Sequence, residues 1–286
     1  MTKSVAIVGG GITGLAAAAW LEHDHGIEKV QVIESASSAG GKIRSESDDG
    51  YTLEWGPQGF LDNAPDTLDL ARILGLENGL VHADEVAADR FILREGALRR
   101  VETSPIGFMR SDILSFSGKL RLLGEPFAPK RPDHDETIFE FASRRIGSQA
   151  AEVLVDAMVT GVFAGDSRKL SLAATFPRMA AMEAQHGSLT RALIAKTREA
   201  RKAGKKSGGP AGPGGTLTTF SSGMARLPWQ LSEKLGSRLL LKQPVQSLRR
   251  LGDRFILTTE KGDISADAVL LTLPAERTAR MLAKIA

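Results

Sequence analysis

Three glycines near the N-terminus have the spacing that nucleotide-binding turns require. The stretch "GGGITG" places Gly9, Gly11 and Gly14 after an apolar run and before an alanine-rich one. In a strand–turn–helix unit, the first glycine permits a tight turn, the second lets a pyrophosphate approach, and the third lets the helix pack on the strand. The free N–H groups at the helix start also favour an anion. The predicted phosphate-binding residues are Gly9, Gly10, Gly11, Ile12, Thr13 and Gly14.

An acidic residue lies where the ribose of such a nucleotide would be bound. Glu34 ends the next apolar run, twenty residues after Gly14, and Ser35 follows it. A carboxylate at this place accepts hydrogen bonds from a ribose diol and repels a 2′-phosphate. The pattern therefore disfavours NADP and leaves NAD and FAD open.

Two further glycine turns favour the longer of these two cofactors. The segments "AGGKIRS" and "EWGPQGF" follow Glu34 closely, and the first contains two cations that can face phosphates. A ligand that extends past its pyrophosphate to a flat ring would use three successive turns, which indicates FAD. The alternative for the two cations is an ordinary solvated loop. The residues predicted to line the path are Gly41, Lys42, Arg44, Gly56, Pro57, Gln58 and Gly59.

Composition limits the other classes of function. The chain has 286 residues, 42% of them hydrophobic and 25% charged, which is typical of a globular protein. It has no cysteine, so disulfides and cysteine-bound zinc are excluded. Residues 196–206 hold six basic residues and one acid, and so exceed the whole net charge of +3. Because no aromatic residue is interleaved there, we expect a solvated segment and no nucleic-acid partner.

The pattern of apolar residues predicts the elements that position these turns. Residues 4–9, 12–25 and 29–34 form a strand–helix–strand unit with two parallel strands. A helical period occupies 105–200, and strand signals return after a glycine-rich stretch at 204–215. We therefore expect an α/β fold (α+β overall), with a Rossmann-like domain interrupted by a mainly helical insertion. Further predicted elements are a helix at 66–76, strands at 89–94, 97–101, 216–220, 238–250 and within 254–273, and a closing helix.

Several segments resemble the flavin amine oxidase superfamily, and others resemble a narrower family within it. "VAIVGGGITGLAAAAWLE", "IES", "GGKIRS" and "EWGPQGF" resemble the FAD-binding N-terminus of the superfamily. Residues 137–177, with "GVFAGD" followed by "LS" and "FP", resemble the protoporphyrinogen oxidase family. "SSGMARLPWQL" at 221–231 resembles a later turn of that family, with Met224 in place of the usual leucine. The resemblance spans essentially the whole chain.

The resemblance implies a reaction and a set of substrate contacts. The family oxidises a porphyrinogen to a porphyrin with FAD and molecular oxygen, late in haem synthesis. Because hydride transfer to flavin is cofactor chemistry, we name no catalytic side chain and no metal site. The resemblance also places Val245 at the adenine side of FAD, Arg90 at a substrate propionate, and Gly161 and Phe163 near the macrocycle. The simpler interpretations are a solvated strand-edge arginine for Arg90 and a core residue for Phe163.

The resemblance also implies how the chain is divided and where it acts. Because family members are longer, we expect a chain that lacks its C-terminal part. Coproporphyrinogen is the alternative substrate, and a non-catalytic binder of flavin or tetrapyrrole is the alternative function. Whether the protein forms a homodimer is a further open question. The predicted domains are 1–88 (first part of the FAD-binding domain), 89–104 (substrate-domain strands), 105–205 (helical, substrate- and membrane-associating), 206–215 (flexible loop) and 216–286 (incomplete return to the substrate and FAD-binding domains).

A peripheral membrane contact is the last expectation that the resemblance adds. The family associates with membranes through its helical domain, and residues 105–123 are rich in apolar side chains. They could form one face in the membrane interface, although an ordinary core helix explains them about as well. The expected location is therefore cytoplasmic, with peripheral contact at the inner face of the cell membrane. The predicted face consists of Phe108, Met109, Ile113, Leu114, Phe116, Leu120 and Leu122.

Overall fold

The structure of the protein is a computed structural model that describes residues 3–84, 89–102, 104–202 and 215–283. The strands are β1 (Val5–Val8), β2 (Val30–Ile33), β3 (Ser45–Asp48), β4 (Tyr51–Glu54), β5 (Phe60–Leu61), β6 (Leu80–His82), β7 (Phe91–Arg94), β8 (Ala97–Arg100), β9 (Leu217–Phe220), β10 (Leu239–Leu240), β11 (Val245–Leu251), β12 (Arg254–Thr259), β13 (Gly262–Ala266) and β14 (Ala268–Leu271). The helices are α1 (Ile12–His25), α2 (Pro65–Ile73), α3 (Pro105–Arg110), α4 (Phe116–Leu123), α5 (Ile138–Ile146), α6 (Ser148–Ala150), α7 (Ala157–Phe163), α8 (Leu172–Thr175), α9 (Pro177–His186), α10 (Leu189–Lys202), α11 (Arg226–Leu235) and α12 (Ala275–Leu282).

Two compact units make up the chain. The first comprises Met1–Ala83 and Gly215–Ala286, and the second comprises Asp84–Gly214. The first, here called the nucleotide unit, holds the parallel sheet. The second, here called the helical unit, holds α3 to α10 and the β7–β8 hairpin.

A four-stranded parallel sheet in the order β10-β2-β1-β14 forms the centre of the nucleotide unit. Val5 pairs with Val30 on one side and with Ala268 on the other, so the first strand lies in the middle. One face packs on α1, α2 and α11, and the other packs on β11 to β13 and α12. Both faces are covered, which explains why these strands are continuous apolar runs. The predicted α/β fold class and the strand–helix–strand unit are confirmed.

The C-terminal part of the nucleotide unit differs from the sequence prediction in two places. The single strand predicted over 238–250 is wrong, because Lys242 has φ 53° and separates β10 from β11. Helix α11 was not predicted, since its stretch resembles a turn and contains Pro228 in the first helical turn. The loop predicted over 204–215 lies, except for Gly215, outside the described residues.

The helical unit begins with the predicted hairpin. Strands β7 and β8 pair antiparallel, and Glu95 (φ 52°) and Gly96 (φ 76°) form the turn between them. Two successive left-handed residues match the twist of a tight hairpin. Within the described residues, no helix combines the length and hydrophobicity needed to cross a bilayer.

The apolar residues of 105–123 do not share one face, which corrects the prediction. Ile113 and Leu114 are buried in the core of the helical unit, where Phe108 and Leu122 pack against them. In contrast, Phe116 is 79% exposed, and Leu120 and Met109 are also exposed. The buried residues are therefore ordinary core residues, and only the exposed ones could contact a membrane interface.

A buried cluster of charged residues lies within the helical unit. Arg145 is fully buried and pairs with Glu125 and Glu183. Arg144 donates to Glu136 at 2.6 Å and to Glu183 at 2.7 Å. Burial alone would raise the pKa of Glu125, but hydrogen bonds from Ser188, Thr190 and Arg145 outweigh it and lower that pKa to about 2. Every charge of this ion cluster (Glu125, Glu136, Arg144, Arg145 and Glu183) therefore has an opposite partner.

Candidate nucleotide-binding site

The first glycine turn is shaped by close backbone packing. Gly9 has φ 113°, a conformation that side-chain-bearing residues rarely adopt. A Cβ atom at Gly14 would overlap the carbonyl oxygen of Gly9, so helix and strand can approach only without it. A Cβ atom at Gly11 would meet no other atom within 4 Å. There is therefore open space beside Gly11, whereas Gly14 is in close contact with the backbone of Gly9.

The start of α1 offers hydrogen-bond donors to an anion. Gly11 is the N-cap residue with extended backbone angles (φ −71°, ψ 173°), and no side chain in the described part of the chain caps it. The first turn also contains no acidic residue. The first N–H groups of this 14-residue helix thus lack a side-chain acceptor, and its positive dipole end faces the open space at Gly11. These features fit the phosphates of a dinucleotide.

Glu34 is held in place by backbone donors around its carboxylate. The N–H of Gly10 donates to Oε2 at 2.7 Å, and the N–H of Ala36 donates to Oε1 at 2.7 Å. The Ser35 hydroxyl donates to Oε1 at 3.1 Å. A carboxylate has about four lone-pair positions, two on each oxygen, so one position on Oε2 is left to accept a ribose hydroxyl.

A cavity of about 610 Å³ lies beside this carboxylate, at the carboxyl ends of β1 and β2. Its volume is within the range of small-molecule sites, and such sites are usual at the carboxyl ends of parallel strands. The structure brings together here four residues that the sequence singled out. The lining comprises Val8, Gly9, Ile33, Glu34, Ser35, Gln243, Pro244, Val245, Gln246, Leu273, Arg277, Arg280, Met281 and Ala283.

The second glycine turn packs directly on the first. The N–H of Gly40 donates to the carbonyl oxygen of Gly10 at 2.8 Å. Gly40 and Gly41 have φ 110° and 61°, and a Cβ atom at Gly41 would lie 3.2 Å from the Cα atom of Gly11. This close approach explains why glycine is needed at Gly41.

The third turn continues the same row. A Cβ atom at Gly56 would overlap the carbonyl oxygen of Lys42, so these two turns are also in contact. Pro57 and Gln58 are exposed. Gly59 instead packs on β9, where its Cβ atom would lie 2.6 Å from the carbonyl oxygen of Thr218. The three predicted turns thus lie side by side, and Gly59 is placed by strand packing.

The two predicted cations are exposed, and one of them has partners nearby. Arg44 donates to Glu46 at 2.6 Å, and its guanidinium lies 5.2 Å from the ring centre of Trp55. Its side chain is 66% exposed, and Lys42 is also exposed. Both cations can therefore reach a ligand, although Arg44 also forms an ion pair with Glu46.

Three polar residues that the sequence prediction missed hold the turns in place. Ser45 donates to Glu54 at 2.7 Å, and Glu54 accepts from the N–H of Met224 at 2.7 Å. The hydroxyl of Thr272 lies 3.0 Å from the carbonyl oxygens of both Val8 and Gly9. Glu54 is the first residue of the third glycine segment, "EWGPQGF", and this position was the available signal. Thr272 lies more than 260 residues from Gly9 in the sequence, so nothing local could reveal its role.

The predicted substrate residues belong to the helical unit. Arg90 is exposed just before β7, and its carbonyl oxygen accepts from Val101 at 2.8 Å. Gly161 lies in α7 with no atom within 4 Å of a Cβ position. Phe163 is 44% exposed and contacts Phe176 edge to face at 5.4 Å. Phe163 is therefore only partly a core residue.

Comparison with known proteins identifies relatives of the whole chain. The sequence profile described as flavin-containing amine oxidoreductase matches residues 12–283. The coproporphyrinogen III oxidase of Bacillus subtilis (strain 168) is 31% identical over 296 residues, which cover 99% of this chain and 62% of that protein. The chloroplastic protoporphyrinogen oxidase of Oryza sativa subsp. japonica is 33% identical over 283 residues, which cover 94% of this chain and 52% of that protein.

A solved structure extends this similarity to the fold. A protein from Exiguobacterium sp. 255-15, assigned as a protoporphyrinogen oxidase, superposes with a TM-score of 0.74 at 28% identity. The superposition covers 99% of this chain and 62% of that one. The chain thus spans between 52% and 62% of the length of these relatives.

Proposed function

The chain belongs to the family of flavin-containing amine oxidoreductases, and on that premise we propose that it binds FAD in the nucleotide unit and serves the oxidation of a porphyrinogen to a porphyrin in haem synthesis. One observation supports the cofactor assignment: the three glycine turns pack one on the next, and the first borders a cavity that is also lined by Glu34.

In this proposal each group binds one part of FAD. Glu34 accepts from a ribose hydroxyl, and Val245 borders the adenine in the same cavity. The N–H groups at the start of α1 donate to the pyrophosphate, for which Gly11 leaves the space. The turns at Gly41 and Gly56 then border the ribityl arm. Lys42 and Arg44 screen the negative charge.

Bound FAD would supply the hydride acceptor, so the task of the protein is binding and orientation. Molecular oxygen as the final acceptor follows from the family resemblance and stays a prediction. For the substrate we assign Arg90 to a propionate, because a guanidinium binds a carboxylate in a bidentate fork. Gly161 and Phe163 would then border the macrocycle, one with open space and the other with an exposed ring face.

Two porphyrinogens are candidates for the substrate. Relatives of this chain include proteins named coproporphyrinogen III oxidase and proteins named protoporphyrinogen oxidase, at 31% and 33% identity. We propose protoporphyrinogen IX as the substrate, with coproporphyrinogen III as the alternative. The four propionates of coproporphyrinogen III require more cations in the binding site. Comparing the turnover rates of the two compounds with the same protein preparation therefore distinguishes the two substrates.

A direct experiment tests flavin binding and turnover separately. The purified chain is expected to show flavin absorption bands and to convert non-fluorescent porphyrinogen into fluorescent porphyrin in air. Glu34→Lys places a cation at the ribose and is expected to remove most of the flavin. A colourless wild-type protein would contradict the cofactor assignment. Flavin retention without turnover would instead support the alternative function, a non-catalytic flavin binder.

A peripheral membrane contact through the helical unit is part of the proposal. Phe116, Leu120, Leu123 and Phe127 are 59% to 86% exposed and belong to one short segment around α4. Exposed apolar residues at this density are typical of an interaction surface. Flotation with lipid vesicles is expected to carry the wild type, and Phe116→Ser with Phe127→Ser is expected to remain in the aqueous fraction. A homodimer stays a prediction.

A further inference from the structure

Helix α12 forms part of the wall of the cavity that contains Glu34. The cavity has a volume of about 610 Å³, and α12 contributes two arginines to its lining, Arg277 and Arg280. The sequence prediction singled out neither of them, because a charged residue in a helical pattern is by default a solvated one. Two guanidinium groups at the edge of a nucleotide cavity therefore need an explanation.

The two arginines differ in their partners. Arg280 donates to Glu276, one helical turn earlier, and the two side chains are 75% and 77% exposed. Arg277 is also exposed, but its side chain forms no hydrogen bond and no ion pair within the described residues. The guanidinium group of Arg277 is therefore available to a ligand, whereas that of Arg280 already has an acid beside it.

The helical spacing places Arg277 next to the apolar part of the cavity. Residues four apart are neighbours on a helix surface, so Arg277 and Met281 share one face of α12. Met281 and Val245 both pack against the apolar cluster that contains Leu257, and both line the cavity. Apolar walls of this kind suit an uncharged flat ring better than a phosphate, which would lose its hydration there.

We propose that Arg277 stacks its guanidinium group on the adenine ring of the bound cofactor, which then lies between α12 and the segment that contains Pro244 and Val245. This assignment rests on the proposed function, since it requires an adenine nucleotide in this cavity. A guanidinium group is planar, is more weakly hydrated than an ammonium group and stacks on aromatic faces. Arg277 is thus a binding residue for the adenosine half of FAD and takes no part in hydride transfer.

A contact with the pyrophosphate is the alternative role for Arg277. The open space and the free N–H groups that suit phosphates are at Gly11, which does not line this cavity, whereas Arg277 does. The two roles also differ in what they require. A phosphate contact depends mainly on charge, so lysine can replace arginine there, whereas stacking depends on the planar group.

Calorimetric titration of flavin-free protein separates the two roles. FAD and ADP are each titrated into the wild type, Arg277→Ala, Arg277→Lys and Arg280→Ala, because ADP contains the adenosine half of FAD without the flavin. We expect Arg277→Ala to weaken the binding of both ligands by about tenfold, and Arg277→Lys by at least about fivefold. Arg280→Ala is the matched control, and its affinities should change by less than about twofold. Because both side chains are exposed, the melting temperatures without ligand should equal that of the wild type.

Several results would overturn the stacking of Arg277 on adenine. They are wild-type FAD affinity in Arg277→Ala, full recovery of affinity in Arg277→Lys, equal losses in Arg277→Ala and Arg280→Ala, or a loss for FAD without a loss for ADP. The second result would assign Arg277 to a phosphate, and the third would assign the effect to the overall charge of the cavity.

Failure of the proposed function gives a different result in the same experiment. A wild-type protein that binds neither FAD nor ADP would contradict the nucleotide site and, with it, the role of Arg277. Binding of ADP that depends on Arg277, in a protein that does not bind FAD, would instead support the adenine contact and reject the flavin assignment.

Discussion

The glycine turns of the nucleotide unit and the ion cluster of the helical unit differ in whether their polar groups have partners within the protein. At the start of α1, backbone donors have no side-chain acceptor in the described part of the chain, and Gly11 leaves space beside them. In the ion cluster, Arg145 and Arg144 each meet two carboxylates. Donors that face open space are available to a ligand, whereas charges that face each other stabilise a fold. The difference separates a binding site from a structural cluster of similar polarity.

The largest effect is expected where the ion cluster is broken. Arg145→Met keeps most of the volume but leaves Glu125 and Glu183 without this cation. Removing one partner of a buried pair costs about 3–5 kcal/mol, because a charge stays buried without compensation. Chemical denaturation should therefore show that loss in the free energy of unfolding of the helical unit.

The control for this variant is a cation on the surface of the same unit. Lys169 pairs with Asp166 at 3.5 Å, and its side chain is 82% exposed. Lys169→Met should change the free energy of unfolding by less than about 1 kcal/mol. Equal losses in Lys169→Met and Arg145→Met would mean that the ion cluster does not stabilise the unit.

A smaller loss is expected from Gly14→Ala. The new methyl group would overlap the carbonyl oxygen of Gly9, and overpacking of this kind costs about 1–3 kcal/mol. Thermal unfolding of the nucleotide unit should therefore occur at a lower temperature in this variant, with or without flavin. An unchanged melting temperature would show that the first turn is looser than described.

The acid dependence of stability should identify Glu125. Its pKa in the folded chain is about 2, below the usual 4.5, so the carboxylate stabilises the folded state above pH 4.5. This contribution falls as the pH decreases from 4.5 through about 2. The gap in unfolding free energy between the wild type and Glu125→Gln should be largest near neutral pH and narrow in acid. A gap that stays constant down to pH 2 would assign the effect to packing.

The smallest effect on stability is expected for Arg44→Gln. Its ion pair with Glu46 is exposed, so the free energy of unfolding should change by less than about 1 kcal/mol. If Arg44 also screens the cofactor phosphates, flavin affinity should fall severalfold at low salt, and the difference should shrink as salt is added. An affinity that is unchanged at low salt would leave Arg44 as a residue of a solvated loop.

The same contrast explains what the sequence could predict. Gly9, Gly14 and Glu34 were identifiable because their roles depend on local backbone geometry and on spacing along the chain. The helix α11 was missed because its stretch resembles a turn around Gly223 and its first helical turn contains Pro228. The local pattern thus predicts the backbone turns at these glycines, which the structure contains, but it does not predict α11.

The ion cluster could not be predicted, because its members are far apart in the sequence. Glu125 and Glu183 reach the same arginine from positions 20 and 38 residues away. A charged residue in a pattern is by default a solvated one, and only tertiary structure shows which charges are buried together. Thr272 was missed for the same reason, since it contacts Gly9 from the opposite end of the chain.

The central claim is that the open space at Gly11 receives the phosphates of FAD. Calorimetric titration of FAD into flavin-free protein tests it with Gly11→Ala, whose methyl group meets no protein atom within 4 Å. Gly79→Ala is the matched control, since its nearest atom lies 4.0 Å away and it is far from the turns in sequence. We predict that Gly11→Ala weakens FAD binding by about tenfold or more, while both variants keep the stability of the wild type within about 1 kcal/mol. Wild-type affinity for FAD in a folded Gly11→Ala protein would contradict the account.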